Sequence, residues 1–367
     1  MIVIVGALAQ PRLSEALCLV GTPVRVPGTL VGGERAGIVR DGWPMLTSDA
    51  GSVPGLAVRR TPQLDRYAAV MGLVAQGVAG MQVLGIVPGP AADHAPVVDQ
   101  DAIAAEIALQ ILQAPAETDA ALLAWRLPMM GIWAGSRLRA RAMTPSGQGV
   151  VPLRPADALR TQQRSQPFLG FFGVERQVLT HALHQGGQTA PLTREAFLSG
   201  DAAVMLPWDP VRDRVLVIEQ FRMAPALRGD PQPWLLEPIA GRVDAGETPE
   251  AAILREAQED AGLGVTRLFP AFHAYPSPGA LCEFLYHYVG IADLPDGCAG
   301  IHGLDSEAED IRGHLMDRAK LSALVDAGQI ANGPLATLSL WLDARVDRLR
   351  AQVQGGRAGL PLQPGGV

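Results

Sequence analysis

Cysteine is nearly absent from this 367-residue chain: it occurs only at Cys18, Cys282 and Cys298, at spacings that match no metal motif. Such scarcity argues against a disulfide framework and fits a reducing compartment. An excess of positive charge is also missing. The formal net charge is −7 and like charges do not run together, so the basic footprint needed for long DNA or RNA is lacking. Small phosphate compounds remain open as ligands, because a bound divalent cation reverses the charge locally. No stretch of about 18 consecutive apolar residues exists, so no membrane-spanning helix is expected. The opening Met1–Gly6 is apolar but short and lacks a basic flank. It reads as a buried strand rather than a signal peptide, and the expected location is cytoplasmic. Internal repeats are absent too.

What is present is ordinary globular material, 48% hydrophobic and 18% charged, in a length that suits two domains. Residues 1–100 are rich in Gly, Pro and Val, with short apolar runs such as Met1–Val5, Gly55–Val58 and Val83–Val87 that predict strands. Helical spacing takes over at Ile103–Leu112 and Ala120–Trp125. The Gly/Pro/Ser-rich stretch Pro145–Pro155 marks the expected domain boundary. Beyond it, strands are predicted at Val174–Leu183, Ala202–Leu206, Val215–Glu219, Leu268–His273 and Glu283–Val289. Asp209–Asp213 forms a hairpin turn, and closing helices fall at Arg318–Ala327 and Leu335–Arg350. The organisation expected is residues 1–110, a helical linker over 111–160, a second domain over 166–350, and a disordered tail over 351–367.

The informative segment runs from Gly241 to Leu263. Thr248 suits an N-cap, Pro249 the first helical position, and Gly262 a left-handed stop, which predicts a helix over Pro249–Ala261. Glu256, Glu259 and Asp260 are spaced i, i+3 and i+4 and share a face, beside an apolar arc of Ile253, Leu254, Ala257 and Ala261. Taken alone, three acids on a helix read as a solvated face. Focused into a cleft they repel and call for a cation, and such hard oxygen ligands suit Mg²⁺ or Mn²⁺. Gly241 and Gly246 ahead of the helix permit a tight loop whose backbone can approach phosphate or metal.

This segment resembles the Nudix box: glycine, five residues, Glu247, seven residues, Arg255-Glu256, two residues, Glu259-Asp260, one residue, Gly262-Leu263. Asp260 stands where the family usually has glutamate; it is one methylene shorter but keeps the charge. The likeness to the ADP-ribose pyrophosphatase family continues over Phe168–Arg350. It includes Gly170-Phe171-Phe172, Thr193–Phe197, Ile218–Arg222, Trp234–Glu237, Ser277-Pro278-Gly279, and Ile301–Leu304 through Glu307–Arg312. The resemblance implies an α/β/α sandwich around a mixed sheet within an α+β chain. It also implies two or three Mg²⁺ ions (Mn²⁺ as the alternative), held by the Ala240 carbonyl and by Glu256, Glu259, Asp260 and Glu309. Glu307 matches the general base, with Glu259 and Arg255 completing the catalytic set. The reaction implied is hydrolysis of ADP-ribose to AMP and ribose 5-phosphate. Another nucleoside diphosphate sugar, such as a GDP-sugar, and a silent binding module are the alternatives.

For substrate, the resemblance implies Phe171 or Phe172 against the base, unless both are core. Arg222 matches a phosphate contact, where a guanidinium binds bidentately. Arg242, Ser277, Gly279 and Glu283 line the remainder of the pocket. Arg194 and Glu195 match positions that the family contributes across a homodimer with swapped strands. Ala280 departs from the family's second glycine, which affects loop shape.

Residues 1–100 resemble, more weakly, the γ-glutamylcyclotransferase-like fold, a small β-barrel/α domain that is found fused in this way in proteins linked to tellurite resistance. Val5-Gly6-Ala7-Leu8 replaces that family's Tyr-Gly-Ser/Thr-Leu loop, and residues 66–100 contain no glutamate. Without a base to move the amine proton, the expectation is a non-catalytic domain.

Overall fold

A computed structural model describes residues 1–145, 147, 149–303 and 309–355. The chain divides into two compact units, one of residues 1–200, 244–247 and 279–282, the other of 201–243, 248–278 and the chain from 283 onward.

The first unit contains β1 (Ile2–Val5), α1 (Pro11–Ala16), β2 (Gly21–Val31), β3 (Met45–Val58), α2 (Pro62–Met71), β4 (Gln76–Val78), β5 (Met81–Leu84), α3 (Gln100–Gln113), α4 (Ala120–Trp125), α5 (Leu127–Ala142), β6 (Leu159–Leu169), β7 (Gly173–His181) and β8 (Leu192–Leu198). Its larger sheet has the linear order β2-β3-β1-β5-β4, parallel only between β1 and β5. That order is an open path, and among the described residues no pairing of β2 with β4 closes the barrel expected from the sequence. Ile2 and Ile4 face a core shared with Ile103, Ile107, Ile111, Leu123, Leu127 and Met130, whereas Val3 and Val5 face the other side. The helices expected as a linker over 111–160 are therefore core elements. They look autonomous in sequence because α5 has apolar residues nearly all round, which is the mark of a helix buried on several sides. The remaining strands form a separate antiparallel sheet, β6-β7-β8.

The second unit contains β9 (Ala202–Asp209), β10 (Arg214–Phe221), α6 (Met223–Arg228), β11 (Trp234–Glu237), β12 (Ile239–Arg242), α7 (Pro249–Ala261), β13 (Val265–Ala274), β14 (Leu285–Ala292), β15 (Ile301–His302), β16 (Ile311–Asp317), α8 (Arg318–Asp326), α9 (Gly333–Asp343) and α10 (Val346–Gln354). Its sheet runs β13-β14-β9-β10-β16-β15, with β11 also on β10 and β12 also on β9. The β14–β9 pairing is parallel and the others are antiparallel, so the sheet is mixed, as expected.

Period-two alternation divides this sheet between two cores. Ala203, Met205, Leu216 and Ile218 meet Ala252, Ile253, Ala257 and Ala261 of α7. Val204, Leu206, Trp208, Val215 and Val217 meet Leu321 of α8, Leu335, Leu338 and Leu342 of α9, and Leu349 of α10. Each fully buried aliphatic side chain contributes about 1.5–3 kcal/mol, so neither helical layer is dispensable. An α/β/α sandwich results.

Two boundaries differ from the sequence reading. The single helix predicted over Leu335–Arg350 is two helices, because Arg345 at φ −133° leaves the helical region. The tail expected to be disordered from Ala351 is helical as far as Gln354, and residues 356–367 lie outside the described residues. Among the described residues no helix is long and apolar enough to cross a membrane.

Candidate active site

Helix α7 forms as its local signals dictate. Thr248 Oγ1 accepts from Ala251 N at 3.2 Å, Pro249 opens the first turn, and Gly262 closes the helix at φ +58°. Docking buries Ala252, Ile253, Ala257 and Ala261 fully in the core, with Leu254 partly buried against it. That docking grades the carboxylates from inside to outside. Asp260 is 2% exposed, the Glu256 side chain 15% and the Glu259 side chain 30%. The shared acidic face expected from spacing is real, but Asp260 lies at its dry edge.

Strand β12 supplies the opposing wall. Its Ala240 pairs with Val204 of β9 and Gly241 with Ala203. A Cβ at position 241 would lie 1.9 Å from Glu256 Cδ and Oε1, so the carboxylate occupies space that only glycine leaves open. Arg255 binds Glu256 Oε1 at 2.8 Å and Glu259 Oε2 at 2.9 Å through Nη1, and the Arg242 carbonyl at 3.2 Å through Nη2. It thus ties two acids of the helix to the strand in front of them.

Burial pushes the Glu256 carboxyl up to about 7; Arg255 opposes the rise, and Glu259 and Glu309 add to it. Burial likewise pushes Asp260 up to about 8, with Glu256 and Glu309 adding to the rise and Arg222 opposing it. Asp260 Oδ2 is buried with no hydrogen-bond partner among the described residues. Glu309, ahead of β16, therefore acts electrostatically on the same two carboxyls. The charge of one later segment thus reaches the acids of the helix, although sequence separation kept them apart. Glu307 lies outside the described residues.

Without a cation these buried carboxyls are driven towards protonation, and a bound cation would hold them as carboxylates. The donor set fits a hard divalent ion: the Ala240 carbonyl with Glu256, Glu259, Asp260 and Glu309. Among the described residues no three His, Cys, Asp or Glu side chains form a group that could hold a metal ion as they stand, and Arg255 is placed on Glu256 and Glu259.

The substrate residues fall in different places. Arg222, after β10, donates from Nε at 2.9 Å and from Nη2 at 2.7 Å to Glu237 Oε2, while Asn332 donates to Glu237 Oε1 at 3.1 Å. Arg222 is thus an oriented guanidinium, and its charge reaches Asp260 and Glu283. Burial raises the pKa of Glu283, against the pull of Arg242 and Arg222 and with the help of Asp201. Arg242 and Glu283 therefore belong to one neighbourhood. Sequence reasoning missed Glu237 and the buried Asp201. Glu237 ends Trp234-Leu235-Leu236-Glu237, where an acid closing an apolar run was the available signal; Asp201 had none.

Ser277 lies on an exposed turn of the second unit, and Gly279 on its exposed continuation in the first. Also in the first unit, Phe172 packs on Phe197 with centroids 4.7 Å apart, and Phe171 stands edge-on to Phe172 at 5.0 Å and 52% exposed. Phe171, which also meets Trp125 with centroids 6.3 Å apart, is the more exposed of the two rings. Arg194 and Glu195 project from β8; Glu195 is paired with Arg176 at 2.6 Å, and Arg194 Nη1 donates to the Thr193 carbonyl at 2.9 Å.

Part of the chain is similar to known proteins. The NUDIX domain family matches residues 199–333, which include α7, Gly241 and Glu309. Over 184 residues the chain is 38% identical to the ADP-ribose pyrophosphatase of Haemophilus influenzae, spanning 49% of this chain and 84% of that protein. Over 187 residues it is 40% identical to the ADP-ribose pyrophosphatase of Escherichia coli K12, spanning 51% and 88%. The chain belongs to the Nudix family, as a pyrophosphohydrolase. A GDP-mannose pyrophosphatase of an Enterobacter strain is more distant, 29% identical over 169 residues, with 46% of this chain and 87% of that protein covered.

Proposed function

We propose that this chain hydrolyses the diphosphate of ADP-ribose to AMP and ribose 5-phosphate with the help of Mg²⁺. The observation that carries the reading is Asp260 Oδ2, buried and partnerless beside Glu256 and within the field of Glu309. Such a site is costly in a protein that binds no cation there, and it lies in a chain that over 187 residues is 40% identical to the ADP-ribose pyrophosphatase of Escherichia coli K12.

Diphosphate hydrolysis is chiefly charge neutralisation and in-line positioning. Two or three Mg²⁺ ions, or Mn²⁺ in their place, supply that neutralisation when held by the Ala240 carbonyl, Glu256, Glu259, Asp260 and Glu309. Arg255 keeps Glu256 and Glu259 in place, and Arg222, braced by Glu237, receives phosphate oxygens. Glu307 takes the proton of the attacking water. Phe171 stacks on the base, and Arg242, Ser277, Gly279 and Glu283 meet the sugar side. Arg194 and Glu195 reach the pocket of a second copy in a strand-swapped, cytoplasmic homodimer. Residues 1–110, which resemble the γ-glutamylcyclotransferase-like fold, are non-catalytic.

The test is incubation with ADP-ribose and Mg²⁺, with and without EDTA, while AMP is measured. AMP released only without EDTA supports the proposal. No AMP in either arm means a silent module. A parallel GDP-mannose series, in which kcat/KM exceeds that for ADP-ribose, would move the substrate to the GDP-sugars.

A further inference from the structure

Arg126 stands apart from the chemistry above. It lies between α4 and α5 in the first unit and is only 8% exposed. Its Nε has no hydrogen-bond partner among the described residues. A guanidinium does not lose its proton in a protein, so burial cannot be relieved by neutralisation as it can for a carboxyl. Gly173, at the start of β7, lets the group in: a Cβ there would lie 3.1 Å from Arg126 Nη2.

The buried acid on the neighbouring helix cannot serve as counter-charge. Glu106 of α3 is already shared between Arg137, at 3.2 Å, and Arg141, both from α5. Among the described residues no salt bridge joins Arg126 to Glu106 or to any other acid. A buried charge without a partner is among the most costly features a core can hold.

Beside Arg126 is a small cavity that Gln110, Trp133, Gln166 and Phe171 also line. Its volume is about 10 Å³. That is room for about one water molecule or one monatomic ion, and too little for a phosphate, a carboxylate or a nucleotide. Gln110 Nε2 spends one N–H on the Met130 carbonyl, at 2.9 Å, and an amide has a second to offer. Aromatic ring edges carry partial positive charge and tolerate an anion nearby. A single water would fill the space but leave the charge unbalanced.

We propose that Arg126, with the side-chain amides of Gln110 and Gln166, holds a monatomic anion of the chloride class in this cavity. The proposal does not rest on the function proposed above.

Bromide is the probe. Crystals of the full chain grown or soaked in sodium bromide are expected to show a bromine anomalous peak within hydrogen-bond reach of the Arg126 guanidinium. In solution, replacing gluconate by chloride at constant ionic strength raises the wild-type melting temperature by about 2–4 °C, and Arg126→Gln and Arg126→Met show no such response. A wild-type map with no bromine at Arg126 overturns the proposal, as does a chloride response of equal size in both variants. Should both variants fail to fold, the wild-type anomalous map alone decides between the ion and a water.

Discussion

Replacing Gly241 by alanine isolates the position of one carboxylate from its presence. Gly241 does not have a positive φ, so the β12 backbone accepts alanine without strain. The added methyl would lie 1.9 Å from Glu256 Cδ and Oε1, whereas ordinary contact begins near 3.4 Å. The carboxylate must therefore retreat by roughly 1.5 Å, and a misplacement of about 1 Å in a catalytic constellation costs about 10²-fold. The obstructing atoms are the far end of a flexible side chain, so folding is only mildly affected. Gly241→Ala is expected to lower kcat for ADP-ribose by about 10²-fold or more, some 2.7 kcal/mol in the barrier, while the melting temperature moves by only a few degrees. Steady-state kinetics at saturating Mg²⁺, with a thermal melt on the same sample, provide the measurement. Wild-type kcat would refute the argument that Glu256 must sit against this strand. So would a variant that fails to fold, because the clash would then involve more than the carboxylate.

Other expectations follow from the same geometry. Glu256 and Asp260 have folded pKa values raised above their unfolded values, so the metal-free fold binds more protons than the unfolded chain between about pH 4 and 8. Metal-free stability should fall as pH rises through that window, and Mg²⁺ should restore it; a flat profile in denaturant titrations would contradict this. His287 is the opposite case: burial holds it near 4, so the unfolded chain takes up its proton first as pH drops below about 6.5. Stability should be lost on that acid limb, by up to about 3 kcal/mol, and His287→Phe should flatten it. Glu307→Gln should slow turnover with little change in the Mg²⁺ concentration needed, whereas Glu309→Gln should raise that concentration; identical behaviour would undo the division of roles. Arg222→Lys keeps the charge but loses the two-pronged grip on Glu237, and kcat/KM for ADP-ribose should drop by about tenfold or more.

Much of the metal helix was legible without coordinates, because its signals are local. Thr248, Pro249 and Gly262 are read from dihedral preference and backbone donors alone, and i, i+3, i+4 spacing follows from helix geometry. The strands β9 and β10 were legible for a similar reason, since unbroken apolar runs announce a sheet covered on both faces. Less was visible where a segment's partner is far away. β6 is exposed along most of its length and carries little apolar alternation, so nothing in it declared a strand. The helices between residues 111 and 142 looked like a connector, because a buried face cannot be recognised before the element that covers it is known.

Composition and short-range pattern by themselves determined that this chain has a carboxylate helix behind a glycine loop, little cysteine and no basic footprint. Tertiary structure alone decided which acid goes dry, that Gly241 yields its Cβ space to Glu256, that Glu309 adds its charge to the same pair, and that Arg222 is braced by Glu237. Local signals are written in neighbours along the chain. Burial, desolvation and charge repulsion depend on which distant segments the sheet brings together, and spacing does not encode them.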